Sequence, residues 1–400
     1  MTPISFTGLA VVAAVGFAVP LTLGFFPRVR VPSAVLEIVV GIVIGPSVLG
    51  LIKVDVPIQV LSLLGLASLL FLAGLEIEFH RLKGRPLQLA SAGFLVSLLL
   101  GLAVAYGMKE AGLIRSPLFV CFVLSATALG LIVPILKDSG EIANDFGQLI
   151  IAAASIADFG TVILLSFFFS REAASTAAQL YLLGGFLLLA TAIVVMLLRG
   201  ERSTALSTVL VKLQDTTAQI RVRGAALLLV ALVAVAERIG LETILGAFIA
   251  GAILALVDRD ATQTHPLFRT KLEAIGFGVL IPVFFVSSGL RFNLTALLQA
   301  PSDVMKVPIF LAAFLVVRGV PAWFYRGILG TRRSVAAGLL QATNLSFTVA
   351  AVQIGIELNL IAESSGAALV AAALLSVLVF PFAAGCVLRQ SASARSAAIR

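Results

Sequence analysis

Apolar runs of about 20 residues recur along the whole chain, separated by short polar stretches. A helix of about that length crosses the hydrocarbon core of a bilayer and satisfies its own backbone hydrogen bonds there. The pattern therefore predicts thirteen spanning helices, here called spans 1 to 13, at about 4–25, 31–51, 59–75, 86–108, 118–136, 146–169, 178–199, 223–238, 241–256, 267–289, 308–325, 333–357 and 362–388.

Composition supports a membrane protein. Of the 400 residues 60% are hydrophobic and only 12% are charged, which excludes an ordinary soluble domain. The net charge of +8 does not indicate nucleic acid, because the lysines and arginines lie mostly in short loops, away from exposed aromatic residues. The expected partner is the lipid bilayer, and the sequence predicts no cofactor.

Positive charge also predicts the orientation of the chain. Most lysines and arginines follow odd-numbered spans or lie in the C-terminal tail. Cytoplasmic loops carry the excess of positive residues, so we expect an outside N-terminus and a cytoplasmic C-terminus in the cell inner (plasma) membrane.

A loop at about 200–222 divides the chain. Its apolar positions Leu206, Val209, Leu210 and Leu213 predict a short helix lying on the cytoplasmic interface. Two sets of six spans joined by one connecting span have opposite orientations, as in inverted-repeat transporters. The predicted domains are 1–177 (first repeat, spans 1 to 6), 178–222 (span 7 and the interfacial helix), 223–390 (second repeat, spans 8 to 13) and 391–400 (a short basic cytoplasmic tail).

The fifth span of each half is interrupted by polar or helix-breaking residues. In span 5 these are Ser125, Thr127, Gly130 and Pro134, and in span 12 they are Thr343, Asn344 and Ser346. Discontinuous helices at equivalent positions of two repeats indicate an ion site near the middle of the membrane. The alternative is that the hydroxyl groups bond back to carbonyls of their own helices.

Two ionisable residues lie deep within spans, Asp158 in span 6 and Arg318 in span 11. A charge at the centre of a bilayer costs roughly 2.5 to more than 10 kcal/mol, so each needs a partner or a function. Ser155, Asp158 and Thr161 recur every three residues and share one helix face. Either Arg318 and Asp158 form a permanent ion pair that fixes packing, or Arg318 is the buried counter-charge of a working site.

A buried aspartate can carry either a proton or a small cation. A dehydrated alkali ion is held by oxygen atoms, which Ser155, Thr127 and a carbonyl released by the broken span 5 would supply around Asp158. Ser125, Thr343, Asn344 and Ser346 are the expected supporting polar network on the broken helices.

Four glycine-rich segments occur in a characteristic order: Gly41–Gly50, Leu70–Glu76, Leu245–Gly251 and Pro282–Gly289. Together they resemble the bacterial monovalent cation:proton antiporter-2 family, which comprises sodium/proton and potassium-efflux exchangers. The resemblance implies a homodimer, a scaffold domain and a moving core domain in each protomer, and alternating access.

The same resemblance implies that the unwound parts of spans 5 and 12 cross beside the ion-binding aspartate. Asp158 matches the family carboxylate, Thr127 the threonine of the unwound helix, and Arg318 a position usually held by lysine or arginine. Many relatives carry an acidic or amide residue just before the aspartate, where this chain has Ala157. A single carboxylate favours one-for-one, electroneutral exchange. With only 391–400 after span 13, we expect no appended nucleotide-binding domain.

The sequence thus predicts an all-α polytopic membrane protein with two inverted six-helix repeats. It predicts a secondary antiporter, not an enzyme, that exchanges sodium or potassium for protons at Asp158. An ion-coupled carrier of organic solutes on the same scaffold is the alternative. An intramembrane aspartyl protease needs two carboxylates that share a proton, and the sequence has one deep aspartate with no second on a neighbouring span. A cation channel needs a filter of repeated carbonyls, and the sequence has no signature of one.

Overall fold

The computed structural model describes residues 6–25, 31–77, 84–129, 132, 135–136, 141, 144–169, 176–201, 212–213, 216–257, 267–299 and 301–398. Within them all regular structure is helical. The main helices are α1 (Thr7–Phe25), α2 (Ser33–Ile44), α3 (Val56–Leu75), α4 (Gly84–Glu110), α5 (Pro117–Ser125), α6 (Asp145–Phe168), α7 (Thr176–Glu201), α8 (Ile220–Arg238), α9 (Thr243–Val257), α10 (Phe268–Leu290), α11 (Leu294–Leu298), α12 (Pro301–Phe314), α13 (Arg326–Gln341), α14 (Ser346–Glu357) and α15 (Glu363–Ala398).

Helices occupy all thirteen predicted spans, so the predicted all-helical, multi-span fold is confirmed. Eight helical stretches among the described residues are long and apolar enough to cross a membrane by themselves, with Pro301–Glu357 taken as one stretch. Ser33–Ile44 and Thr243–Val257 are apolar but shorter.

Some sequence predictions concern residues that are not described. The interfacial helix with Leu206, Val209 and Leu210 lies outside the described residues, and so do the helix breakers Gly130 and Pro134. At the C-terminus α15 continues to Ala398, through most of the segment that was predicted as a tail. That segment is rich in alanine, the residue with the highest helix propensity.

The described helices belong to two compact units. Unit 1 comprises Met1–Gly16, Val54–Phe79 and Val162–Ser287, and unit 2 comprises Phe17–Lys53, His80–Thr161 and Ser288–Arg400. Each unit draws on both halves of the chain, so this division differs from the sequential repeats, which stay a prediction.

Unit 1 depends on a close crossing of α3 and α9. A Cβ atom on Gly74 would lie 2.1 Å from the carbonyl oxygen of Phe248, and one on Gly251 would lie 1.9 Å from that of Phe71. Because no side chain fits at such distances, the two glycines permit the backbones to touch. Two of the four glycine-rich segments therefore pack against each other.

Unit 2 has a core of apolar side chains from several spans, including Phe146, Ile150, Tyr325 and Leu340. Gly289, the last residue of the fourth glycine-rich segment, also packs closely in this unit: a Cβ atom on it would lie 2.2 Å from the carbonyl oxygen of Ile38 and 2.8 Å from the Cα atom of Gly41, which begins the first segment.

Span 11 changes helix type within unit 2. After α12 the chain forms a π-helical turn over Leu315–Gly319 and a 3-10 turn over Val320–Tyr325. Pro321, which has no N–H group, lies at the start of the 3-10 turn. The π turn carries Arg318, whose side chain is almost fully buried. Such turns are frequent at functional sites.

Candidate functional site

Both broken spans are interrupted, and the interruptions meet. The backbone is not helical over 126–128, after α5, or over 343–345, between α13 and α14. The N–H group of Ala128 donates to the carbonyl oxygen of Thr343 at 2.9 Å, which joins the two segments directly. We call this meeting point the crossing.

Each extended segment caps the helix that precedes the other one. Thr127 Oγ1 donates to the carbonyl oxygen of Gln341 at 3.0 Å, at the end of α13. Asn344 Nδ2 donates to the carbonyl oxygens of Val123 at 2.8 Å and Ala126 at 3.4 Å, at the end of α5. The last carbonyls of a helix have no partner within the helix, so these two side chains satisfy groups that burial would otherwise leave unpaired.

Asp158 binds the crossing from α6. Its Oδ1 accepts from the N–H group of Thr127 at 3.3 Å, and its Oδ2 accepts from that of Leu129 at 3.4 Å. The residue is 9% exposed. The interruption of span 5 thus provides two backbone N–H donors for a buried carboxylate.

The residues that share the Asp158 face of α6 differ in their bonding. Thr161 Oγ1 donates to the carbonyl oxygens of Ala157 at 2.7 Å and Asp158 at 3.2 Å, within its own helix. Ser155 Oγ is buried and has no hydrogen-bond partner among the described residues. Of the two hydroxyls, that of Ser155 is therefore the one left available to a ligand one turn from Asp158.

Arg318 is held by three neutral oxygen atoms from three elements. Its Nε donates to Thr127 Oγ1 at 2.7 Å, its Nη1 to Ser97 Oγ at 3.1 Å and its Nη2 to the carbonyl oxygen of Ala153 at 3.5 Å. A hydrogen-bonded path from Arg318 to Asp158 passes through Thr127, the predicted ligand.

The predicted supporting residues divide into two kinds. Ser125 Oγ donates to Cys121 O at 2.8 Å and Thr343 Oγ1 to Leu339 O at 3.4 Å, so each bonds to the carbonyl four residues earlier in the chain. Ser125 Oγ also lies 3.5 Å from the carbonyl oxygen of Ser97 on α4. Asn344 instead links the broken helices, and Ser346, which is half-buried, begins α14.

Sequence reasoning missed two serines. Ser97 binds Arg318, and Ser376 Oγ accepts from the N–H group of Asn344 at 3.1 Å. Each is a serine with apolar residues on both sides, and no local pattern distinguishes it from a serine that bonds only within its own helix.

The donor set is one of oxygen atoms. Within the part of the chain that the structure describes, no three His, Cys, Asp or Glu residues come together as metal ligands. One carboxylate beside an unpartnered hydroxyl and an unwound backbone is instead the chemistry that suits a small, hard monovalent cation.

Interrupted helices that meet beside a buried carboxylate, in a chain of apolar spans, are typical of membrane transport proteins. The family model described as "sodium/hydrogen exchanger, transmembrane" matches residues 12–390. The chain belongs to the sodium/hydrogen exchanger family. The resemblance to monovalent cation:proton antiporters is thereby confirmed at family level, and the family is one of transporters rather than enzymes.

Individual relatives agree with this. The chain is 32% identical to the putative Na(+)/H(+) antiporter YjbQ of Bacillus subtilis over 95% of its own length, and it spans 63% of that protein's length. It is 27% identical to the probable Na(+)/H(+) antiporter 3 of Methanocaldococcus jannaschii, with 93% of each chain covered. The solved structure of the sodium proton antiporter MjNhaP1 from M. jannaschii has the same fold, with a TM-score of 0.68 at 15% identity over 96% of this chain and 98% of that one.

Proposed function

We propose that this protein exchanges a monovalent cation for protons across the membrane, with Asp158 as the only carrier of both. The observation that carries the proposal is the Asp158 carboxylate at the crossing, bound by two backbone N–H groups. The relatives are named Na(+)/H(+) antiporters, which supports sodium as the principal cation. Potassium is the second candidate.

Bound sodium would share Asp158 with Ser155. The Ser155 hydroxyl lacks a partner among the described residues, so a cation can use its oxygen without breaking an existing bond. Thr127 Oγ1 already accepts from Arg318 and donates to Gln341. We therefore infer that the hydroxyl of Thr127 acts first as the link between Arg318 and the site.

The charges support a one-for-one exchange. Arg318 stays protonated throughout, because a guanidinium does not lose its proton in proteins. Asp158 carries either one proton or one sodium ion, so the net charge of the loaded site is the same in both states. Ala157 supplies no second acidic group beside Asp158. Exchange of one ion for one proton moves no net charge and is electroneutral.

The wider arrangement follows from the family resemblance. We propose that the protein is a homodimer in the cell inner membrane, with its N-terminus outside and its C-terminus in the cytoplasm. Alternating access requires two bodies within a protomer, and the division of the chain into two compact units is compatible with it.

The test is cation-driven proton flux in proteoliposomes that carry a preset pH gradient. Addition of sodium should dissipate the gradient, and parallel runs with potassium and lithium determine selectivity. Asp158→Asn should abolish the flux. Asp145→Asn, an exposed change in the first turn of the same helix, is the matched control and should leave the flux intact.

The mechanism fails if Asp158→Asn protein exchanges at the wild-type rate. Electroneutrality is tested by clamping the membrane potential with valinomycin and potassium. A flux whose rate follows the imposed potential would contradict one-for-one exchange.

A further inference from the structure

Ser376 is a buried serine of α15 that binds the second extended segment through its backbone. Its Oγ accepts from the N–H group of Asn344 at 3.1 Å. The same oxygen lies 3.1 Å from the carbonyl oxygen of Asn344 and 2.7 Å from that of Ala373, and its single proton can be donated to either. The side chain is fully buried.

The position of Ser376 in the second half corresponds to that of Asp158 in the first. Each residue lies on the span that follows the interrupted one, and each accepts from a backbone N–H group of the extended segment. Thr127 and Asp158 are 31 residues apart, and Asn344 and Ser376 are 32 apart. The two segments also cap each other's preceding helix, through Thr127 in one direction and Asn344 in the other.

The side chains of Asp158 and Ser376 differ in whether they need a bound ion. A carboxylate only accepts hydrogen bonds, so Asp158 keeps a negative charge that a proton or a cation must balance. A hydroxyl accepts and donates, so Ser376 can bond both the N–H and the carbonyl group of Asn344 without any ion. Under the proposed function the first half of the crossing exchanges ions, whereas the hydrogen bonds of the second half need no ion.

We propose that Ser376 is a positioning residue of the exchange site, the neutral counterpart of Asp158. This proposal rests on the proposed function. Ser376 fixes the backbone of Asn344, whose side chain binds the carbonyl oxygens of Val123 and Ala126. The neighbouring carbonyl of Thr343 accepts from Ala128. These contacts are made by Ala126 and Ala128, the two neighbours of Thr127, whose N–H group donates to Asp158. Ser376 thereby sets the geometry in which the carboxylate meets its ion.

The experiment compares Ser376→Ala and Ser376→Thr in the proteoliposome assay, with the KM for sodium and the maximal rate determined separately. Without the Ser376 hydroxyl, the backbone N–H and carbonyl groups of Asn344 lose this hydrogen-bond partner, and the position of the segment 343–345 is less well fixed. We expect Ser376→Ala to raise the KM for sodium about fivefold to tenfold and to change the maximal rate less than about twofold. Threonine retains the hydroxyl and should restore the KM to within about twofold of wild type.

Ser334→Ala is the matched control. Ser334 is a buried serine of α13 that donates only within its own helix, to the carbonyl oxygen of Gly330 at 2.9 Å. Its removal should leave the KM unchanged. Should Ser376→Ala protein not be recovered folded, Ser376→Cys takes its place, because it has nearly the same volume and a much weaker hydrogen bond.

A double-mutant cycle tests the route through Asn344. If Ser376 acts through that residue, Asn344→Ala and the double variant with Ser376→Ala should raise the KM by nearly the same factor. If the increase in KM of the double variant equals the product of the two single increases, the residues act independently, which would contradict the route through Asn344.

A KM for sodium in Ser376→Ala equal to that of the wild type, or no rescue by threonine, overturns the proposal for Ser376. The proposed function is unaffected by that result as long as the wild-type protein shows sodium-driven flux. Absence of flux in the wild-type protein, in turn, contradicts the proposed function itself.

Discussion

Arg318 Nε donates to Thr127 Oγ1 at 2.7 Å, and both groups are buried. Thr127 also binds Asp158 through its backbone N–H group. One small residue thus holds the buried guanidinium with its side chain and the buried carboxylate with its backbone. If the proposed function is right, the guanidinium acts on the ion site through Thr127, so we expect changes at this residue and at Arg318 to affect stability and exchange together.

Thr127→Val should weaken both. Valine has the shape of threonine but leaves Arg318 Nε without its acceptor and Gln341 O without its donor. We expect a loss of about 3 kcal/mol in the free energy of unfolding, because a charged donor is left unpaired in the interior. Thermal melting in detergent and sodium-driven flux measure the change. Thr127→Ser retains the hydroxyl and should stay close to wild type, and equal behaviour of valine and serine would refute the link.

Arg318→Ala should destabilise the fold by about 3–5 kcal/mol, since it leaves a cavity and removes the donor that Thr127 and Ser97 share. Arg318→Lys keeps the charge but lacks the planar fork that reaches three acceptors, so it should recover only part of the loss. Arg326→Ala, an exposed change next to Trp323, should alter stability by less than about 1 kcal/mol. Melting temperatures of the three proteins test this order, and a fully stable alanine variant at Arg318 would contradict it.

Gly251→Ala tests the close crossing in unit 1. The new Cβ atom would lie 1.9 Å from the carbonyl oxygen of Phe71, which is backbone and has no alternative rotamer. We expect a loss of about 3 kcal/mol or more, because the two helices must separate. Gly184→Ala, where no atom lies within 4 Å, should be neutral or slightly stabilising. Equal stability of the Gly251→Ala and Gly184→Ala proteins would show that α3 and α9 do not pack with their backbones in contact.

Glu76, which follows the last residue of α3, should make stability depend on pH. Burial raises the pKa of its carboxyl group to about 7, although Arg269 opposes this and Glu273 reinforces it. The folded state then holds a proton that the unfolded chain releases near pH 4.5, so stability is greatest at low pH and falls as the pH rises through about 7.

Glu76→Gln removes that titration and should flatten the melting temperature between about pH 5 and pH 7.5. Glu110→Gln, an exposed change at the end of α4, should leave the slope as it is in the wild-type protein. An unaltered slope in Glu76→Gln would assign the pH dependence to another group.

Several features of the site were readable in the sequence, because their cause is local. Hydropathy over about 20 residues predicts a span, and a charge within such a run is expensive wherever the helix packs. Asp158 and Arg318 were identified on this ground, and both are buried. The interruptions of spans 5 and 12 were predicted from short polar runs, and both are present in the structure.

The partners of these residues were decided only by tertiary structure. Arg318 and Ser97 are 221 residues apart, and Asn344 lies 32 residues before Ser376. No periodicity connects such positions. Ser97 also donates to the carbonyl oxygen of Gly93 in its own helix at 3.0 Å, so its local sequence does not reveal the contact with Arg318.

Tertiary structure also explains the glycine-rich segments. Their order along the chain supported the family resemblance, but the sequence did not show why glycine is needed at these positions. Gly74 and Gly251 are required because α3 and α9 cross with their backbones in contact, and Gly289 because its backbone approaches Ile38. The sequence by itself determined which stretches are long and apolar enough to span a bilayer and that Asp158 and Arg318 are buried, since both follow from the transfer of local groups out of water; it did not reveal that Glu37, Glu242 and Lys306 are buried too. The fold determined which groups meet, since that depends on contacts between segments that are distant in the chain.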